Sequence, residues 1–299
     1  MRLEDFKPVT LAEKSEFWEF YRKYPPSHSE YPFTTLVSWS HYTPAHYAIM
    51  DGSLVMMHVM DGKPQFRPPI GEYTDDTVRE IVALAKGSGG PRPIAAILEP
   101  DRARFERLFP GTAVCPDRDF YDYVYLTREL AGLSGKHHVS HRRRLNKFTK
   151  SYDYSVVELS PKWEKDVEDF IERWCRQYGC EDDPLLAAEV GAMKYCLEHF
   201  RDLELSGLAL RIDGGIQAIS LFERMNGCTW AIHFEKAMTD YEGIYQAISN
   251  EAAKALTGVC EYLNRESDLG IAGLRIAKER LHPDHMVKIY YLSNETLPC

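Results

Sequence analysis

Asn264, Arg265, Glu266, Ser267 and Asp268 crowd an amide, a guanidinium and two carboxylates into one short stretch. Such a mixture suits proton transfer and the binding of an anion. An amide polarises a carbonyl, a cation holds a phosphate or a developing oxyanion, and a carboxylate takes the proton of the attacking group. On this reading Asn264 polarises, Arg265 holds the anion, and Glu266 or Asp268 is the base. Glu235 and Lys236 close another apolar run, CTWAIHFEKA (228–237), and the two charged groups are expected side by side. The same residues suit a purely structural network. There Arg265 pairs with Glu266, Glu235 or Asp268, and Asp268 caps a helix beginning near Gly270. Both readings stay open at this point, and they differ in consequence. A solvent-reachable Arg265 contributes little to folding, whereas a buried one would strand its partner when removed.

Further residues suit anion binding. Arg275 and Lys278 lie three apart on a predicted helix and share a face. They would bind an anionic group such as a phosphate, or else simply be solvated. The loop TDYEGIY (239–245) offers one glycine, Gly243, before Tyr245 and a helix. A glycine there lets backbone approach a phosphate. The neighbouring Asp240 and Glu242 would repel a pyrophosphate, or would stabilise the helix dipole as ordinary first-turn acids. The run KHHVSHRRRLNKFTK (136–150) is basic without a single acid. As a helix it sets Arg143, Lys147 and Lys150 on one side with Arg144 beside them. Positive density on an acidic chain points to a polyanion such as tRNA, or to pairing with the acid surplus elsewhere. His137, His138 and His141 have no cysteine or carboxylate near them in sequence, which argues against a metal. His282 and His285 flank Pro283 and read as loop residues.

The elements that must carry these residues appear in a repeated order. Helical spacing over 11–24 and 31–39 precedes three short strands, HYAIM (46–50), SLVMMHVM (53–60) and PQFRPPI (64–70). Asp-Gly pairs at 51–52 and 61–62 separate them, a strong hairpin signal. A helix (74–86), a strand (93–99), a helix (101–109) and a strand (120–126) follow. The second half opens with a strand (154–159) and two helices (161–178, 184–200). Three strands (203–212, 215–225, 228–237) then turn at Asp213–Gly215 and Asn226–Gly227. A helix (245–257), a strand (259–264), a helix (273–281) and a last strand (285–292) complete it. The repeat is one of element order, not of residues.

That order resembles the GNAT acyltransferase fold, and two copies resemble the tandem-GNAT aminoacyltransferases. The resemblance implies an α/β (α+β) fold of two mixed, mainly antiparallel sheets flanked by helices. The halves are expected at 1–130 and 131–299, with the active cleft in the second. In such a fold the fourth and fifth strands splay, and Asn264 to Glu266 would lie at the end of the fifth. HFEKA (233–237), EGIY (242–245), YLNRESDLGIAGLRIAKERLHP (262–283), VKIYY (287–291), KYPPSHSEY (23–31) and YDYVYLT (121–127) resemble the DUF2156 family. That family is similar to the C-terminal catalytic domain of phosphatidylglycerol lysyltransferase. The resemblance implies an aminoacyl-tRNA donor and an amine or hydroxyl acceptor, either a lipid head group or a small molecule. The alternatives are a coenzyme A-dependent N-acyltransferase, against which the glycine-poor loop at 239–243 counts, and a non-catalytic ligand-binding protein.

Bulk properties narrow the classes. The chain has 299 residues, 44% of them hydrophobic and 27% charged, enough for a large core. Its net charge of −9 argues against general nucleic-acid coating. No apolar run approaches the ~18 residues of a membrane span. The N-terminus lacks an apolar signal region, and the seven cysteines show neither zinc nor disulfide spacing. A reduced, cytoplasmic compartment is the expectation. There is no P-loop and no G-x-S-x-G elbow.

Overall fold

A computed structural model describes residues 2–60, 62–87 and 90–294. The chain begins with strand β1 (Lys7–Pro8), helices α1 (Lys14–Tyr21) and α2 (Phe33–Ser38), and a meander of β2 (Ala45–Met50), β3 (Ser53–Met60) and β4 (Lys63–Phe66). Then come α3 (Asp75–Gly87), β5 (Ile94–Leu98), α4 (Glu99–Leu108), β6 (Val114–Pro116) and β7 (Asp122–Leu126). Helices α5 (Thr127–Gly132) and α6 (Val139–Ser151) lead to β8 (Tyr154–Glu158), α7 (Glu164–Tyr178) and α8 (Pro184–Glu198). The second meander is β9 (Ser206–Ile212), β10 (Gly215–Arg224) and β11 (Thr229–Ala237). The chain ends with α9 (Ile244–Leu256), β12 (Tyr262–Asn264), α10 (Ala272–Glu279), β13 (His285–Val287) and β14 (Ile289–Leu292).

The fold is mixed α/β: two mixed sheets of seven strands, each flanked by helices. One runs β1-β2-β3-β4-β5-β14-β6 and the other β13-β7-β12-β11-β10-β9-β8. The expected hairpins are present. Asp51 and Gly52 turn β2 into β3 with φ of 48° and 78°, values that explain the Asp-Gly pair. Of the pair at 61–62, Asp61 lies outside the described residues.

Two compact units emerge. Among the described residues the first runs to Asp122 and adds Ser267–Gly270 and the chain from Val287 on. The second holds Tyr123–Glu266 and Ile271–Met286. In the first unit Val78, Ile81, Val82 and Ala85 of α3 pack on one face of the sheet, against Val55, Met57, Phe66, Ile94 and Leu292. An aromatic group of Phe17, Phe33 and Tyr47 forms a further part of this unit's core. In the second unit Ala247, Ile248, Ala252 and Leu256 of α9 join Leu208, Leu210, Phe222, Ile232 and Leu263.

Two strands depart from the sequence expectation. The run 285–292 reads as one strand but is two in different sheets. His285–Val287 edges the second sheet, while Ile289–Leu292 enters the first between β5 and β6. Residues 122–126, adjacent in sequence to first-half strands, pair with β12 instead. Periodicity reports which faces are buried and not which sheet buries them, so neither exchange is visible in the pattern. The short α5 was also not expected.

Candidate functional site

The second sheet opens where the parallel ladder of β11 and β12 ends. Strands β11 and β12 pair at Thr229 with Tyr262, Trp230 with Leu263 and Ala231 with Asn264, and then no further. Beyond that point β12 follows β7: the Arg265 N–H donates to the Tyr123 carbonyl at 2.9 Å, and the Tyr123 N–H to the Glu266 carbonyl at 3.1 Å. Strand β11 bulges at the same level. Leu221 pairs with Phe234 and Phe222 with Ile232, leaving His233 as the extra residue. A bulge re-aims side chains and strengthens twist, and here it brings a histidine to the mouth of the opening.

Two charged groups face each other there. Arg265 donates to Glu235 Oε1 at 2.5 Å and to Ser249 Oγ at 2.7 Å. Burial pushes the Glu235 carboxyl up, and Arg265 beside it draws it back. His233 donates from Nδ1 to Glu266 Oε1 and from Nε2 to Glu223 Oε1, both at 2.8 Å. Burial works against the charged imidazole, yet Glu223 and then Glu266 prevail and raise it to about 10. His233 is therefore an imidazolium at neutral pH, and both ring nitrogens are donors. Of these side chains Glu266 is the most open, at 31% exposure against 5% for His233 and 8% for Glu223.

The remaining expected residues divide. Asn264 is fully buried: its Oδ1 accepts from the Glu266 N–H at 2.8 Å and its amide nitrogen lies 3.9 Å from the Met225 sulfur. It holds the turn in which Glu266 takes the left-handed φ of 57°. Lys278 Nζ donates to the carbonyls of Arg265 and Glu266, clamping the same turn from α10. Arg275 is half-buried on that helix. Asp268 belongs to the first unit, fully buried, where it accepts from Arg118 at 3.0 Å and from the Gly270 N–H at 2.9 Å. Lys236 pairs with Glu189 at 2.6 Å and lies over the Trp174 ring. Tyr245 is close to Tyr178 and Trp174, and burial raises its hydroxyl.

Gly243 serves packing. A Cβ there would lie 2.6 Å from the Arg144 carbonyl and 3.1 Å from Phe148, at a φ of +91°. Helix α6 thus presses on the start of α9. The Glu242 N–H donates to the Tyr152 hydroxyl, and Lys147 pairs with Glu242. Arg143 and Arg144 stay exposed. Protein thus packs against the N-cap of α9, the helix whose N-terminus could meet a pyrophosphate.

The first unit shows the same divergence, closed. Its parallel ladder is a single pair, Phe66 with Ile94. Beside it the Tyr31 hydroxyl donates to the Ala96 carbonyl at 2.6 Å, and Arg67, 5% exposed, pairs with Glu30.

Sequence reasoning missed Glu223 and the role of His233. The signal was present in HFEKA, where a histidine interrupts an apolar strand two residues before Glu235, but the bulge that turns it is a tertiary feature.

A family model, phosphatidylglycerol lysyltransferase, C-terminal, matches residues 21–293. The chain belongs to this family. Among solved structures, a conserved protein of unknown function from Bacteroides thetaiotaomicron VPI-5482 superposes with a TM-score of 0.89 at 28% identity, covering 97% of this chain and 99% of that one. The C-terminal domain (DUF2156) of a protein described as a lysylphosphatidylglycerol synthetase from Agrobacterium fabrum gives 0.68 at 15% identity, with 96% and 93% covered. L-PGS from Bacillus licheniformis gives 0.64 at 14%, with 95% and 93% covered. These two likenesses are of fold. No curated protein matches. Among the described residues of this lysyltransferase-family member, no helix is long and apolar enough to cross a membrane, and no group of three or more His, Cys, Asp or Glu is placed to hold a metal.

Proposed function

We propose that this protein is an aminoacyltransferase that moves an aminoacyl group from aminoacyl-tRNA to the hydroxyl or amine of a small molecule or lipid head group. We read the two sheets as two GNAT-like halves, with the working opening between β11 and β12. One observation carries the reading: a partly exposed carboxylate, Glu266, is held at that opening by a buried imidazolium and stands next to Arg265. Family membership supports the reaction class.

Glu266 takes the proton of the attacking hydroxyl or amine. The new bond forms to the ester carbonyl carbon, and Arg265 stabilises the oxyanion through donors not engaged by Glu235 and Ser249. The ester C–O bond to the ribose then breaks, and Glu266 returns the proton to the leaving oxygen. The His233 imidazolium keeps Glu266 ionised and oriented between the two transfers. A coenzyme A donor is the weaker reading because Glu242 and Gly243, which lead into α9 where its pyrophosphate would lie, already meet Arg144, Phe148 and Tyr152.

The test presents purified protein with radiolabelled aminoacyl-tRNAs and, separately, acyl-CoA, over a panel of lipid and small-molecule acceptors. Transfer from an aminoacyl-tRNA, lost in Glu266→Gln, is expected. Transfer from acyl-CoA alone would overturn the donor, and wild-type rates in Glu266→Gln would overturn the base.

A further inference from the structure

The second unit gathers four histidines that the reaction above does not use. His138 stands at the N-cap of α6, His137 before it and His141 in the first turn, while His282 arrives from the loop after α10. Ring centroids of His137 and His282 are 4.8 Å apart, of His138 and His282 5.8 Å, and of His138 and His141 6.3 Å.

Two independent features mark a ligand. Helix α6 is thirteen residues long, yet no side chain caps its N-terminus and its first turn holds no acid. Its dipole and orphan N–H groups therefore favour an anion. His138 is 4% exposed and its Nδ1 has no hydrogen-bond partner; the buried Nδ1 of half-buried His141 has none either. Unpartnered buried polar atoms are rare in folded proteins and ask for a cause.

The surroundings are positive. His138 is held below its usual value by burial and then by His282, with Arg142 and His137 adding to this and only Glu129 opposing it. His141 is lowered by burial, His138, Arg144, Arg265 and His282. Arg142 itself is engaged, tying the loop through the carbonyls of Leu133 and Gly135. An arriving anion would relieve every one of these repulsions.

We propose that His137, His138, His141 and His282, at the uncapped N-terminus of α6, form a phosphodiester site that takes one phosphate of an RNA strand. The rest of the strand follows Arg143 and Arg144 along the helix. The proposal rests on the aminoacyl-tRNA reading and adds where that donor is gripped. RNA fits better than a bilayer. The positive side chains run along a helix of about 20 Å, and exposed imidazole rings offer stacking surfaces for unpaired bases. Val139 is the only exposed large apolar residue of α6, too little to enter a membrane.

Binding of a phosphate favours the protonated imidazoles, so affinity should rise as pH falls through and below the ordinary histidine range near 6.5. Fluorescence anisotropy with a short labelled single-stranded RNA and with deacylated tRNA, between about pH 5.5 and 8, reads this directly. Wild type should bind both more tightly at low pH. His138→Gln and His282→Gln should each weaken binding about tenfold, the loss of one charge-assisted hydrogen bond, and flatten the pH profile. His282 is exposed, so its variant remains informative where His138→Gln fails to fold. Equal affinity and equal pH dependence in His282→Gln would overturn the site. So would histidine-dependent binding to phosphatidylglycerol vesicles that RNA does not displace. RNA binding with this pH profile but no aminoacyl transfer would leave the site standing and bring down the transferase reading instead.

Discussion

At the scale of residues, the pair Arg265–Glu235 bears on both accounts that the sequence left open. Their side chains are 15% and 10% exposed, so the pair is neither solvated nor sealed. Arg265→Ala leaves Glu235 buried without its partner and should cost about 3–5 kcal/mol, read as a lowered midpoint in urea. A second change, Glu235→Gln, should restore part of that loss; a double variant no more stable than Arg265→Ala would refute the pairing argument. His233 makes a pH prediction. Its folded value of about 10 lies above the unfolded value near 6.5. The stability it contributes is therefore complete below 6.5 and lost as pH rises towards 10. Thermal melts should decline across that window, and His233→Gln should show a flatter decline over the same range. The cluster of Asn264, Arg265 and Glu266 was legible as a group because its residue types are costly to place together. Which of them face outward was not, because Asn264 and Lys278 are engaged by the backbone of the turn they build.

At the scale of elements, the helical and hairpin order was legible because amphipathic spacing and Asp-Gly turns are local signals. The meeting of α6 with α9 was not, because it depends on one glycine whose missing Cβ admits a carbonyl from a helix a hundred residues earlier. Gly243→Ala combines an unfavourable φ with a 2.6 Å contact. The expected loss is roughly 2–4 kcal/mol, measured by chemical denaturation; a change within error would mean that α6 yields freely. The basic face of α6 carries its own prediction. Charge reversal at Arg143, Arg144 and Lys147 should abolish tRNA binding, and wild-type affinity should fall steeply with salt. A salt-independent affinity would contradict phosphate contact. Lys147 is the least exposed to this argument, since it already pairs with Glu242.

At the scale of the whole molecule, each sheet contains a strand from the far half of the chain. A fragment of residues 1–130 lacks β14, and a fragment of residues 131–299 lacks β7. Neither should give a cooperative melt alone, whereas co-expressed halves should recover one. Independent folding of either fragment would show that the exchanged strand is dispensable. The first sheet needs Ile289–Leu292 between strands completed by Pro116. On a ribosome adding ~5–20 residues per second, the intervening stretch of about 170 residues takes on the order of ten to thirty seconds. For that interval the nascent first unit exposes two open strand edges, on β5 and β6, with nothing yet synthesised to fill them. The part of this protein that is made first is thus the last to close, and a premature stop near the C-terminus damages the beginning of the chain.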